Sequence, residues 1–385
     1  EATLKAEVER VHPDVNAFVV VSNFSVQNPE HELRAREIVQ LQATVPITCS
    51  HELTSRINAP RRAVTCVLNA RLIPLIDRLI CAVTEILGRQ SIDAPLMIVQ
   101  GDGSLVSVDI ARFQPIQTIM SGPAASVVGA AYLTKAQDAI IADIGGTTTD
   151  IALLKDGQPG THPDGPMFHN YRMMINAASV KTIGLGGDSE FSQDENGNWS
   201  IGPNRAVPLS LLGSQYPNIV KILQRQYESA ELKKHYGLFV FKEDILGAEY
   251  HELSSAATSL LEFLGDTPVP LQEVLERKDY FLPYRALRKR GVLNISAFTP
   301  SDAAHVLGIH QQWNSDAAMY GARIAHRKIR QEGPKTKTIE EFCEDIVEFM
   351  TYRCGQALIN FCLEKEDSVQ GLMSDNSTDN SIFLK

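Results

Sequence analysis

Asp143-Ile144-Gly145-Gly146-Thr147-Thr148-Thr149-Asp150 is the stretch on which the reading of this chain turns. The run Ala139-Ile140-Ile141-Ala142 precedes it and Ile151-Ala152-Leu153-Leu154 follows, so it reads as the turn between two strands. Adjacent glycines let backbone N–H groups approach an anion closely, and three threonine hydroxyls add donors. Asp143 and Asp150 flank the turn, a placement that suits Mg²⁺ held directly or through water against nucleotide phosphates. No Lys-Ser/Thr pair follows and no helix opens there, which separates the pattern from a Walker loop and from a Gly-x-Gly-x-x-Gly fingerprint. Ordinary turn residues in a polar hairpin would have the same composition.

Downstream, Thr182-Ile183-Gly184-Leu185-Gly186-Gly187-Asp188-Ser189-Glu190 is a second glycine-rich turn. Gly186, Gly187 and Ser189 suit a ligand's close approach, and Asp188 is its best candidate for orienting a cation or water; a plain strand-to-helix turn is the alternative. Upstream, Ser121-Gly122-Pro123 opens a helix of small residues, with Ser121 or Gly122 as its cap and a face able to pack close to a sheet. His51-Glu52 lacks the second histidine of a His-Glu-x-x-His zinc motif. His162 and His169, with Asp164 between them, are set among Pro163, Gly165 and Pro166, so a turn is preferred to a metal cluster. His305 falls in a helix start capped by Ser301, as a packing histidine or a catalytic one.

The whole chain has 385 residues, enough for two domains. Hydrophobic residues at 44% and charged residues at 21% describe a folded globular protein. With 36 basic against 46 acidic residues, the net charge is -10, which argues against nucleic acid as a partner. No apolar run approaches the roughly 18 residues of a membrane span, and residues 1–7 lack a signal-peptide core. The six cysteines include no Cys-x-x-Cys pair and read as reduced thiols of a cytoplasmic protein.

Residues 1–112 alternate strand-like and helical stretches: strands at 17–21, 44–49 and 95–100, a helix opened by Asn28-Pro29-Glu30, and a long helix over 63–87. Val67, Leu68, Leu72, Leu75, Ile76, Leu79, Ile80 and Val83 recur in that helix at helical spacing, and Pro74 is expected to kink or break it. A second domain, 113–385, contains the glycine-threonine turn, a hairpin turn at Asp156-Gly157 and a polar excursion over 193–208. A mainly helical region follows at 219–290, and an amphipathic helix at 339–363.

Six stretches taken in order resemble the hydantoinase/oxoprolinase family: 23–32, Thr65-Cys66-Val67-Leu68-Asn69-Ala70 with Pro74, 121–130, 143–150, 184–189 and 299–308. Its members are the ATP-dependent hydantoinase A type proteins, related to 5-oxoprolinase and to acetone and acetophenone carboxylase subunits. The resemblance implies an α/β, actin-like ATPase fold in which two ribonuclease-H-like lobes close over ATP and Mg²⁺, with 143–150 as the second phosphate-binding hairpin. An earlier hairpin typical of the family has no counterpart before Asp143, and Ile382-Phe383-Leu384 resembles a strand leading to a further nucleotide-contacting turn. Both departures imply a fragment with an incomplete first lobe, and Asp188 stands where many members have a third glycine.

The activity so implied is ATP-dependent opening of a cyclic amide or ureide through a phosphorylated intermediate, with a B-type partner subunit in an oligomer. A carboxylase subunit activating a ketone or bicarbonate is the second reading, and a nucleotide-driven reactivase or chaperone-like module the third. The catalytic candidates are Asp143, Asp150, Asp188 and His305; the phosphate-binding candidates are Gly145, Gly146, Thr147, Thr148, Thr149, Gly186, Gly187 and Ser189.

Overall fold

Strands Phe18–Val20 and Ile47–Cys49 pair in parallel, Phe18 opposite Ile47, with helix Glu30–Gln40 as the crossover such a pair requires. The computed structural model describes residues 1–162, 164–168, 170–193, 198–243, 253–329 and 337–364. The expected His169 and the 382–384 strand lie outside these. The described chain forms two compact units: Glu1–Asp143 with Asp150–Lys181, and Ile144–Thr149 with the chain from Thr182 on. The sequence placed the division at residue 113; 113–143 instead stay with the first unit, where Ile116 shares a core with Cys66 and Met173.

In the first unit the long helix runs from Ala59 to Arg89, straight through Pro74 in the sequence without ending there. The Asn58 side chain caps it by accepting the Arg61 N–H at 3.1 Å. Its periodic apolar residues do not all face the core. Ile80 is buried and Leu68 and Leu72 pack inward, but Val67, Leu75 and Leu79 are half exposed. Polar residues take the buried positions because backbone groups there need partners. Asn69 accepts the Ile116 N–H at 3.1 Å and donates to the Phe113 carbonyl at 3.1 Å, while the Thr65 hydroxyl accepts the Met174 N–H at 3.0 Å.

Strands Val180–Ile183, Thr149–Lys155 and Ala139–Ile144 lie in that order in one sheet. Gln158–Pro159 folds back on Thr149–Lys155 through Asp156 and Gly157, both left-handed at φ 50° and 72°, which is the expected hairpin turn. Helix Ser121–Thr134 covers strand Thr149–Lys155, with Val127 packed against Ala152 and Leu154. Neither Ser121 nor Gly122 caps it: Met120 is the N-cap, at φ 67°, and no side chain caps that end.

In the second unit a mixed sheet orders Val207–Pro208, Leu293–Ala297, Phe239–Lys242 and Val269–Pro270. Successive residues of a strand face opposite ways, so Phe239 enters one core and Val240 the other. Helices Leu209–Gln215, Asn218–Glu228, Pro300–Val306, Ser315–Lys328 and Ile339–Glu364 build the first core. Ser255–Leu264, Leu271–Leu275 and Phe281–Lys289 build the second. The region expected to be mainly helical therefore supplies a central strand, Phe239–Lys242, too short for its period to show in sequence. The expected polar excursion is also partly structural. Ser189–Gln193 and Trp199–Arg205 pair antiparallel, and Phe191 and Trp199 each meet Phe342 edge-on with ring centroids 5.7 Å apart.

All six cysteines are free. Burial pushes the Cys66 and Cys343 thiols up to about 12, whereas Cys81 is exposed. A thiol reagent applied to the folded protein at pH 8 is expected to label Cys81 first and to leave Cys66 and Cys343 unmodified until denaturant is added. Mass-spectrometric mapping of the labelled peptides checks this, and early modification of Cys66 would contradict it. Among the described residues no helix is long and apolar enough to cross a membrane.

Candidate functional site

Gly145, Gly146, Thr147 and Thr148 form the hairpin loop between the strands ending at Ile144 and beginning at Thr149. The Gly145 N–H donates to the Thr148 carbonyl at 2.9 Å and closes it. Gly145, Gly146 and Thr147 are exposed, and the amides of Gly146, Thr147 and Thr148 have no acceptor among the described residues. Three free N–H groups on a short loop make a concavity suited to an anion.

The second glycine-rich turn braces this loop from beneath. Gly187 N–H donates to the Gly145 carbonyl at 3.1 Å, and Asp188 N–H donates to the Gly146 carbonyl at 2.6 Å. The Gly186 N–H donates to the Ser189 hydroxyl at 2.9 Å, and the Thr149 hydroxyl donates to the Leu185 carbonyl at 2.8 Å. A methyl group on Gly186 would lie 2.5 Å from the carbonyl oxygens of both Gly145 and Gly146, so the brace demands glycine there.

These contacts engage part of the expected phosphate set. Gly186, Ser189 and Thr149 are buried: the first two bond each other, the Thr149 hydroxyl is taken by the Leu185 carbonyl, and the Gly187 amide is engaged. They hold the loop; they do not present donors to a ligand. The loop residues Gly145, Gly146, Thr147 and Thr148 remain as the open surface.

Asp188 is the carboxylate that reaches this surface. Its Oδ2 would lie 2.7 Å from a β-carbon on Gly146, so the carboxylate rests against that glycine. The Ser301 hydroxyl donates to Oδ1 at 3.3 Å, and the Arg205 guanidinium lies 3.7 Å from Oδ2. Ser301 is itself fixed by its N–H to the Gly187 carbonyl at 2.8 Å. Asp143 and Asp150 belong to the other compact unit, where exposed Asp143 accepts the Ser126 hydroxyl at 2.7 Å.

His305 is 3% exposed and both ring nitrogens are engaged. Its Nδ1 lies 2.7 Å from the Ser301 carbonyl and must donate, since that oxygen can only accept. Its Nε2 accepts the Trp313 N–H at 3.3 Å and faces His310 Nδ1 at 3.0 Å. With the ring stacked on Trp313 at an interplanar angle of 12°, the geometry is that of a histidine that positions Ser301, not of one open to a substrate.

Ser301 is not the helix cap that the sequence suggested. Thr299 caps Pro300–Val306 in a reciprocal capping box with Asp302, which frees the Ser301 side chain for Asp188. The spacing Thr299-x-x-Asp302 was the available signal. Arg205 had none, because it reaches the site only when its strand pairs beside Asp188.

The fold and this site define a mixed α/β protein with a braced, exposed glycine-threonine loop. The hydantoinase/oxoprolinase family model matches residues 62–212, which include the loop, its brace and Arg205, so the chain carries a hydantoinase/oxoprolinase segment and the resemblance read from its motifs is borne out. The alpha subunit of a caprolactamase from Pseudomonas jessenii is 30% identical over 211 residues, covering 54% of this chain and 30% of that one. The gamma subunit of acetophenone carboxylase from Aromatoleum aromaticum is 28% identical over 200 residues, 49% of this chain and 27% of that one. A nucleotide-free structure of acetone carboxylase aligns over 95% of this chain and 42% of that one, with a TM-score of 0.56 at 15% identity, and so shares the fold. The matched stretches span less than a third of the length of these two curated relatives.

Proposed function

We propose that this chain is the nucleotide-handling part of an ATP-dependent enzyme that activates the carbonyl of a cyclic amide or ureide for ring opening. The observation that carries the reading is the loop of three open amides at Gly146, Thr147 and Thr148 with the Asp188 carboxylate against it. The family's description and the caprolactamase relative support the ring-opening chemistry. In this reading the two compact units correspond to actin-like lobes, the protein is cytoplasmic, and a partner subunit agrees with relatives named as subunits.

The donor set fits ATP and Mg²⁺: amides and the Thr147 hydroxyl suit the terminal phosphates, and the Asp188 carboxylate suits the cation. ATP, when bound with Mg²⁺, supplies the phosphoryl group that turns a carbonyl oxygen into a leaving group, with the cation offsetting phosphate charge. The loop amides orient the phosphates. Asp188, held by Ser301 and the nearby Arg205, keeps a cation or an attacking water in place. Because such chemistry relies on positioning, losing one such carboxylate is expected to lower turnover about 10²–10³-fold.

A carboxylase subunit activating a ketone or bicarbonate is the second reading, favoured by the acetophenone carboxylase relative. ATP turnover by the protein containing this chain, measured against hydantoins, lactams, and ketones with bicarbonate, separates the two. Stimulation by rings and its loss in Asp188→Asn are expected. Ring-stimulated turnover undiminished in that variant removes Asp188 from the site, and stimulation only by ketones with bicarbonate selects the carboxylase.

A further inference from the structure

In the first unit, far along the sequence from the loop, Glu32, Cys49 and His51 bring three different metal-ligating groups together. One ligand atom from each lies within 4.8 Å of the other two. They come from three consecutive elements: helix Glu30–Gln40, strand Ile47–Cys49 and the short helix Ser50–Leu53. The parallel strand pair with its crossover is what closes the 17-residue gap between Glu32 and Cys49. Glu32 and Cys49 are fully buried, while the His51 side chain keeps 17% of its surface.

We infer that Glu32, Cys49 and His51 form a divalent transition-metal site, of the carboxylate–thiolate–imidazole kind that suits Zn²⁺, unrelated to the phosphate loop. The ligand set is the ground for that choice: one thiolate and one imidazole select a borderline-soft ion over Mg²⁺ or Ca²⁺. The surroundings orient the ligands as outer-shell partners do in metal sites. Glu32 Oε1 accepts the Ser22 N–H at 2.7 Å and the Ser50 hydroxyl at 2.6 Å, and Oε2 accepts the His51 N–H at 3.0 Å. The Ser50 hydroxyl in turn accepts from Arg62 Nε at 3.1 Å.

His51 Nδ1 lies 2.7 Å from Glu32 Oε2, a hydrogen bond that the ion would replace. Binding then requires Nδ1 without its proton and Cys49 as thiolate, the thiol proton passing to solvent. The partly exposed imidazole edge leaves a route for the ion and a fourth position for water. Arg62 places a positive charge one hydroxyl away, so binding in the micromolar range is expected, weaker than in structural zinc sites.

Co²⁺ added to this chain tests the assignment, because a cobalt–thiolate bond produces a near-ultraviolet charge-transfer band. One equivalent is expected to bind with that band, and Zn²⁺ is expected to displace it. Cys49→Ser, nearly isosteric, is expected to abolish the band and His51→Ala to weaken Co²⁺ binding at least tenfold, with circular dichroism showing that both variants stay folded. A Cys81→Ser control keeps the band. Absence of a thiolate band in the folded wild type, or its survival in Cys49→Ser, overturns the assignment.

Discussion

Asp302→Ala is expected to lower the unfolding free energy by about 3–5 kcal/mol, by leaving several buried donors without an acceptor. The Asp302 side chain is wholly buried and accepts from the Leu209 N–H at 3.0 Å, the Ser210 N–H at 2.8 Å and the Ser210 hydroxyl at 2.6 Å. It also accepts from the Thr299 N–H at 3.1 Å and the Thr299 hydroxyl at 3.2 Å. One carboxylate thus ties the start of helix Leu209–Gln215 to the start of helix Pro300–Val306, next to the serine that holds Asp188. Denaturant unfolding checks the magnitude, and a loss under about 1 kcal/mol would mean that water replaces the carboxylate at little cost.

The same residue predicts a pH dependence. Burial pushes the Asp302 carboxyl up to about 6, against the pull of its hydrogen bonds to Ser210, Leu209 and Thr299. The folded state then binds a proton that the unfolded chain, with its ordinary carboxyl near 3.8, has already released. Stability from this group is fully present below the unfolded value and is lost as pH rises through about 6. The stability difference between wild type and Asp302→Ala is therefore expected to shrink by about 2 kcal/mol from pH 4 to pH 6 and to level off about one pH unit above that. A difference that grows across that window reverses the sign and removes the assignment.

Gly186→Ala is expected to weaken binding of an ATP analogue more than tenfold, with about 1–3 kcal/mol lost from stability. Its β-carbon meets backbone oxygens of Gly145 and Gly146, and neither can move without lifting the loop off its brace. Gly146→Ala makes the contrast. There the new carbon meets the Asp188 carboxylate, a side-chain end, so removing that carboxylate relieves the clash. Melting temperatures of a double-mutant cycle read the difference: Asp188→Ala is expected to recover the stability lost in Gly146→Ala and to recover none of that lost in Gly186→Ala. Recovery in both backgrounds would show that the brace is soft and that the glycine is not needed for its size.

Some of this was legible in the sequence because it is local. The turn at Asp156-Gly157 follows from two residues that tolerate φ above zero, and the helix over 339–363 follows from apolar spacing alone. Other expectations failed for tertiary reasons. Asn69 and Thr65 face inward in helix Ala59–Arg89 because distant backbone groups need partners, which no helical periodicity records. The strand Phe239–Lys242 is helix-like or strand-like by itself, and only its neighbours on both sides decide. The same limit applies to Gly186, Ser189 and Thr149: their residue types suit a ligand and a brace equally, and only the direction of each hydrogen bond separates the two.

By itself the amino-acid order determined where the chain bends, which stretches carry glycine and hydroxyls, and the family to which those motifs point, because such preferences live within a few neighbouring residues. Folding decided which of those groups remain open. Leu185, some 40 residues past the loop, takes up the Thr149 hydroxyl, and the Gly145 and Gly146 carbonyls take up the Gly187 and Asp188 amides, while Ser301 and Arg205 are carried to Asp188 by a capped helix and strand pairing. Hydrogen bonds pair groups by their distance in space, and sequence separation sets no limit on which groups those are.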